Sequence, residues 1–328
     1  MKTYNWGIIG TGFIAQKMAN ALLLVPQSKL YAVASRNIST ATDFAAMHNC
    51  KAYGSYEELA NDPDIDIVYI ATPHNYHCEN TLMCISNGKH VLCEKPFAVN
   101  GREVRQMIDA ARQKGVFLME ALWTRFNPRV INAKDIIESG QLGKIKLVTG
   151  NLGDQKPFDP TNRFFGKQLI GGSLLDLGIY PLFMALLMLG KPKTIKAAAG
   201  IGVTGVDTNC SITLGYEDDA IAILHSSLVA ATDGTSTIYC EKGKIEFGSA
   251  MYAPEQVTLV TSDGRTEDIT LELSGNYYQY EAIEVVRCIE AGETCSPMWS
   301  WDDSIMLIDI LDEIRRQIGL VYEGHDIG

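Results

Sequence analysis

The sequence predicts an α/β protein: an N-terminal doubly wound parallel sheet, followed by an α+β domain with a mainly antiparallel sheet. Three observations carry that reading. The apolar run Trp6-Gly7-Ile8-Ile9 leads straight into Gly10-Thr11-Gly12-Phe13-Ile14-Ala15. Strand-like and helix-like patterns then alternate up to about residue 120, as βαβ units require. Beyond Trp123 the texture changes to period-two segments joined by polar turns such as Glu217-Asp218-Asp219 and Ser262-Asp263-Gly264.

In the first half the expected strands are Trp6 to Ile9, Leu30 to Ser35, Lys51 to Tyr53, Ile67 to Ala71, His90 to Cys93 and Val116 to Met119. Helical patterns fall between them at Ile14 to Leu24, Thr40 to Met47, Tyr56 to Asn61, Cys78 to Asn87 and Gly101 to Lys114. Six such strands make a Rossmann sheet. The second half opens with a helix at Pro128 to Ser139, a strand at Ile145 to Leu152 and a helix from Leu174 to Leu189. Strands follow at Ile195 to Val203, Cys210 to Tyr216, Ala220 to Leu228, Ser236 to Cys240, Gly243 to Phe247, Gln256 to Thr261 and Thr266 to Leu271. Helices Tyr278 to Ala291 and Asp302 to Ile318 close the chain. The expected domains are 1–122, binding a dinucleotide, and 123–328, binding substrate and forming a dimer.

With 328 residues, both domains can bury a core. The net charge of −11 and the lack of any Lys/Arg cluster argue against a nucleic-acid or anionic-membrane partner and for a small molecule. Eight cysteines without a CxxC pair suggest neither a zinc knuckle nor a dithiol centre, and no metal site is expected. The sequence enters a strand almost at once, so a cytoplasmic location is expected. The longest apolar run, Leu182 to Leu189, is too short to span a bilayer.

Gly10 allows a tight turn after the first strand, and Gly12 leaves room for a pyrophosphate beside Phe13 and Ile14 at a helix start. An acidic residue at the end of the second strand would bind the ribose 2′-hydroxyl of NAD, but the sequence there is Ser35-Arg36-Asn37. Arg36 lies 24 residues past Gly12 (36 − 12), near the discriminating position, and a guanidinium beside a hydroxyl suits a 2′-phosphate. NADP is therefore expected over NAD. Ligands in such sheets lie beyond the carboxyl ends of the strands. Ala71, Thr72, Pro73, Asn75 and His77 after the fourth strand, and Glu94 and Lys95 after the fifth, are thus expected along the cofactor, with His77 more a packing or capping group than a catalyst.

Lys95 at the mouth of the site, followed by Pro96, is the first candidate for acid–base work, and Glu94 could offset its charge or orient it. In Gly171-Gly172-Ser173-Leu174-Leu175-Asp176-Leu177-Gly178-Ile179-Tyr180-Pro181, Ser173 can cap a helix and Pro181 should kink it near Leu177. Asp176 and Tyr180, spaced i, i+4, share a face, and a carboxylate and a phenol on so apolar a helix call for partners, which a substrate could supply. Trp123, Phe158, Arg163, Phe164 and Tyr280 are candidate walls for a ring-shaped substrate.

The set GTGFIA, ATPHNYH, EKP and GGSLLDLGIY, in this order, resembles the glucose-fructose oxidoreductase, inositol dehydrogenase and rhizopine-catabolism (Gfo/Idh/MocA) superfamily over essentially the whole chain. The stretch Glu120 to Pro128 together with Tyr180 is most similar to its dimeric dihydrodiol dehydrogenase and D-xylose dehydrogenase-like branch. The resemblance implies a Rossmann domain, an open-faced sheet that commonly forms a dimer interface, NADP with Ser35 and Arg36 on its adenosine-phosphate side, and a catalytic lysine at Lys95. Many members of the superfamily carry histidine where this chain has Tyr180, which favours the dihydrodiol-type branch and leaves the general base open. The expected reaction is hydride transfer between NADP and a secondary alcohol or hemiacetal carbon of a sugar or cyclic diol, with Lys95, Tyr180 and Asp176 as catalytic groups. Sugars are favoured on resemblance alone. A non-catalytic NADP-sensing regulator is the alternative, and a metal-dependent hydrolase built on His74 and His77 is a weaker one.

Overall fold

The computed structural model describes residues 2–326. Two compact units divide the chain: the stretch up to Phe126 together with Leu273–Ile305, and Asn127–Glu272 together with the stretch from Met306 onward. The expected cut at 122/123 misses the return of Leu273–Ile305 to the first unit. Apolar helix faces carry no label of the core they join.

In the first unit, β1 (Tyr4–Ile9), α1 (Phe13–Leu22), β2 (Ser28–Ala34), α2 (Ile38–His48), β3 (Lys51–Tyr53), α3 (Tyr56–Asn61), β4 (Ile67–Ile70), α4 (His77–Ser86), β5 (His90–Glu94), α5 (Gly101–Lys114) and β6 (Leu118–Ala121) alternate as expected. The six strands are parallel in the order β3-β2-β1-β4-β5-β6. The order reverses between β1 and β4, which opens a crevice beyond their carboxyl ends. The central strands read as continuous apolar runs because helices cover both faces; all four residues of β4 are buried. Side-chain caps set the helix starts: Asn37, Ser55 and Asn100 accept from Ser39, Glu58 and Glu103 amides.

The second unit begins with α6 (Pro128–Glu138), started by the Asn127 side chain and Pro128, and β7 (Ile145–Gly153). A single π-helical turn, Leu174–Gly178, leads into α7 (Ile179–Leu189). Strands β8 (Thr194–Ile201), β9 (Asp207–Gly215), β10 (Ile221–Ser227), β11 (Ser236–Cys240), β12 (Gly243–Phe247), β13 (Val257–Thr261) and β14 (Thr266–Asp268) join β7 in the order β14-β13-β12-β11-β7-β10-β9-β8. Every pairing is antiparallel except β7 with β10. Period-two alternation sends Val148, Ile212, Leu214, Ala222, Leu224 and Ile238 into the core. Ile221, Ile223 and Tyr239 are exposed on the other face, where Leu147 pairs with both Ile221 and Tyr239. Two helices follow, α8 (Tyr278–Glu290), whose residues belong to the first unit, and α9 (Trp301–Ile318).

One run departs from expectation in length. Lys167–Leu189 is long and apolar enough to cross a membrane by length and composition, whereas the sequence reading counted only Leu182 to Leu189. Of its apolar window, 78% is buried, as in the core helix of a globular unit.

Candidate active site

The turn after β1 is built as its glycines require. Gly10 has φ +107°, and a Cβ there would stand 2.6 Å from the Ala71 carbonyl oxygen at the end of β4. Conformation and close approach both demand glycine. Gly12 is different: its φ is −76°, open to any residue, but a Cβ on it would meet no described heavy atom within 4 Å. Gly12 is also the N-cap of α1 and supplies no side-chain acceptor, so the first amides of α1 face this space uncapped by a side chain. Open volume in front of helix amides is what a pyrophosphate needs. Beyond β4, the buried Asn75 Oδ1 has no hydrogen-bond partner among the described residues, leaving an acceptor for a ligand. These residues fit a dinucleotide, which would lie along Gly10, Gly12, Phe13, Ile14, Ala71, Thr72, Pro73 and Asn75.

At the end of β2, Ser35 Oγ accepts the Asn37 amide at 3.3 Å, so the hydroxyl oxygen is partly used within the turn. Arg36 is exposed, with its guanidinium 5.4 Å from the centre of the Tyr76 ring. It also bonds to the Tyr56 hydroxyl, which lowers the proton affinity that burial raises there. Two tyrosines thus pre-position a cation at the carboxyl edge of the sheet.

His77 is completely buried, its Nδ1 lying 2.8 Å from the Pro96 carbonyl oxygen and its Nε2 2.9 Å from that of Thr72. Both ring nitrogens are engaged by backbone, so the residue ties the β4 loop to the β5 loop. Burial, the largest influence, lowers its proton affinity. Thr72 Oγ1 accepts from Asn80 at 3.2 Å.

Lys95 is 9% exposed, directly after β5. The Glu94 carboxylate accepts the Lys95 backbone amide at 3.1 Å and the Tyr69 hydroxyl. Glu94 therefore braces the backbone that carries Lys95. Beneath it, in α8, lies Glu281, fully buried and with neither carboxylate oxygen hydrogen-bonded among the described residues. Burial and, second, the Glu94 charge raise its proton affinity far above the carboxylate range. A carboxyl without donors takes the proton.

In the second unit the helix from Leu174 to Leu189 is not uniform. Pro181 has no amide to return to Leu177, and Gly178 packs so tightly that a Cβ would stand 2.8 Å from Ser226 Oγ. The first turn widens to a π-turn where the sequence reading expects a kink, and Asp176 lies within it. Ser173 does not cap the helix as expected: its backbone is already helical, and its hydroxyl donates to Asp207 Oδ2 at 2.7 Å. Asp207, from the start of β9, is the acceptor that also takes the Leu174 amide at 2.7 Å. Gly172, with φ +131°, makes room for it; a Cβ there would fall 2.3 Å from Asp207 Oδ1.

Asp176 is 5% exposed, and its Oδ1 accepts from Arg163 Nη1 at 2.8 Å. Arg163 also lies over the Phe164 ring, 4.2 Å from its centre. Tyr180 is buried against Tyr252, ring centres 5.1 Å apart. Phe158 is 58% exposed and meets Phe165 edge-on at 5.2 Å. Trp123 is buried in the first unit, stacked on Tyr278 at 4.5 Å. That stack gives Trp123 a packing role in its own unit. No group of three or more His, Cys, Asp or Glu that could hold a metal ion occurs among the described residues.

Sequence reasoning missed Glu120, Glu281, Asp207 and Tyr252. Glu281 had a signal, an acid on the apolar face of a periodic helix, whereas Glu120 and Asp207 lie just beyond the ends of the expected strands. Tyr252 lies in an irregular loop and had none.

Residues 4–122 match the family described as oxidoreductase family, NAD-binding Rossmann fold, and residues 130–246 match the GFO/IDH/MocA C-terminal domain. Among curated proteins, the chain is 39% identical to a trans-1,2-dihydrobenzene-1,2-diol dehydrogenase of Xenopus laevis, covering 97% of this chain and 98% of that one. Identity to the Sus scrofa protein of the same name is 37%, covering 97% of both. Among solved structures, the fold superposes on a levoglucosan dehydrogenase in complex with NADH and levoglucosan (TM-score 0.88, 24% identity, 97% and 98% covered). It also superposes on a 3-ketoreductase from Actinomadura kijaniata in complex with NADP and TDP-benzene (TM-score 0.87, 23% identity, 97% and 98% covered). With both halves of the chain matched in order, and the dinucleotide turn built as described, the chain belongs to the GFO/IDH/MocA family of oxidoreductases and is an enzyme that uses a nicotinamide cofactor.

Proposed function

We propose that the chain is an NADP-dependent dehydrogenase that moves hydride between the nicotinamide and a secondary alcohol or hemiacetal carbon of a sugar or cyclic diol. The observation that carries this reading is the set of nearly buried polar side chains Lys95, Asp176 and Tyr180 in a chain whose relatives are named dehydrogenases of a cyclic diol. When bound, the cofactor supplies the hydride acceptor or donor. Lys95 and Tyr180 serve the substrate hydroxyl, one of them taking its proton as the C–H bond yields hydride. Asp176, its charge balanced by Arg163, orients the hydroxyl; Arg163 and Phe158 flank the substrate. Ser35 and Arg36 hold the 2′-phosphate, which is supported by the Arg36 guanidinium set over Tyr76.

We further infer a homodimer through the open face of the eight-stranded sheet, supported by exposed Ile221, Ile223 and Tyr239 on one face. A reducing, cytoplasmic setting is supported by eight cysteines that are all free. The test is Lys95→Ala beside Tyr180→Phe, assayed with NADP and a panel of aldoses and cyclic trans-diols. Turnover should fall by roughly 10²- to 10⁴-fold in each variant, with cofactor affinity within a few-fold. Near-native turnover in both would overturn the mechanism.

A further inference from the structure

Glu120 belongs to no part of the proposed reaction, yet it is 3% exposed and sits in β6 beside the strand that delivers Lys95. The register pairs Cys93 with Glu120 and Glu94 with Ala121, so the carboxylate lies alongside the point where β5 turns into the Glu94-Lys95-Pro96-Phe97 loop. Its Oε1 accepts the Phe97 amide at 3.1 Å, fixing the far end of that loop. Its Oε2 accepts Ser304 Oγ at 2.7 Å and Trp299 Nε1 at 3.2 Å. All three partners donate, so a proton on this carboxyl would find no acceptor among the hydrogen bonds it makes. Burial works the other way and raises its proton affinity, opposed by those donors and by the positive charge of Lys95.

We propose that Glu120 is the positioning residue of Lys95: it anchors the loop through the Phe97 amide and supplies the buried negative charge that favours the lysine ammonium. This rests on the reading of Lys95 as a group that exchanges a proton with substrate. A carboxylate held by three donors cannot swing away when Lys95 loses its proton, so it sets the pH at which Lys95 becomes a base.

The other titratable groups packed around the loop do not take this role. His77, in α4, has its ring nitrogens on two carbonyls and is kept neutral by burial. The Cys93 thiol is pushed far up by burial, as is the Glu281 carboxyl. Tyr69 is likewise raised and donates to Glu94. Glu103, in α5, accepts the Val99 amide at 3.2 Å, and Glu94 braces the Lys95 amide; both are left intact by the variants below.

The experiment is the pH profile of kcat/KM for NADP-dependent oxidation by the full-length enzyme and by Glu120→Gln, Ser304→Ala and Lys95→Ala. In Glu120→Gln the acid limb should move to lower pH by about one unit or more, the effect of removing an opposite charge at close range. In Ser304→Ala the carboxyl loses one donor and holds its proton more tightly, so it carries its charge over less of the pH range and the limb should move the same way by less. That variant carries the test if Glu120→Gln does not fold. A purely structural role lowers kcat/KM at every pH and leaves the limb in place. An unmoved limb, with Lys95→Ala inactive, overturns the inference alone. A Lys95→Ala enzyme with near-native turnover overturns the reading of Lys95 and the inference with it.

Discussion

Asp207 allows a stability prediction whose size follows from the structure. Burial, the largest influence, raises its proton affinity from the ordinary 3.8 to about 6, although Ser173 and Leu174 both donate to Oδ2. Oδ1 has no partner among the described residues. Because the folded state holds the proton more tightly than the unfolded chain, the stabilisation is complete below about pH 3.8 and is lost as the pH rises through about 6. At about 1.4 kcal/mol per pH unit, the gap between 3.8 and about 6 amounts to about 3 kcal/mol, of which about 2 kcal/mol falls between about pH 4.5 and 7.5. Asp207→Asn keeps an acceptor for the two donors and abolishes the titration. Any fixed cost of the new amide cancels when two pH values are compared. In urea titrations the unfolding free energy of Asp207→Asn relative to wild type should rise by about 2 kcal/mol between pH 4.5 and 7.5. A relative stability that does not change with pH would refute the reasoning.

Three further outcomes are expected. Glu281→Gln replaces a buried acid that the fold keeps protonated, so its stability relative to wild type should climb with pH above the carboxylate range; parallel melting curves at pH 5 and 7 would contradict this. Gly10→Ala meets both a left-handed φ and the Ala71 carbonyl and should cost at least about 1–2 kcal/mol in thermal unfolding, whereas Gly12→Ala should leave stability within about 0.5 kcal/mol and weaken dinucleotide binding by titration. Arg36→Ala should weaken NADP by roughly 10- to 100-fold while NAD changes little, and equal losses for both would sink the 2′-phosphate assignment.

Much of this was legible in the sequence for physical reasons. The Rossmann half follows from local rules: β4 is a continuous apolar run and β1 ends in one, Gly10 and Gly12 punctuate one turn, and Asn37, Ser55 and Asn100 mark helix starts by their own hydrogen bonds. The sheet of the second unit follows from alternation, although the parallel pairing of β7 with β10 joins residues 74 positions apart and leaves no local trace. The candidate site residues can be named from the sequence, whereas their partners cannot. Lys95, Asp176 and Tyr180 stand out as polar residues in apolar surroundings, but the Arg163–Asp176 pair and the backbone engagement of His77 needed coordinates. Ser173 was misread because capping was judged from neighbours in sequence, whereas the acceptor, Asp207, arrives from β9. Leu273–Ile305 was misassigned because amphipathic helices look alike whichever core they cover.

The central claim, an NADP-dependent dehydrogenase of sugars or cyclic diols, is tested most directly by one measurement. Purified protein is mixed with NADP, or separately with NAD, and each member of the aldose and trans-diol panel, and the initial rate of reduced-cofactor formation is read by absorbance. At least one sugar or cyclic diol should be oxidised, with a higher kcat/KM for NADP than for NAD. Tight binding of NADP with no turnover of any panel member in either direction would contradict the account.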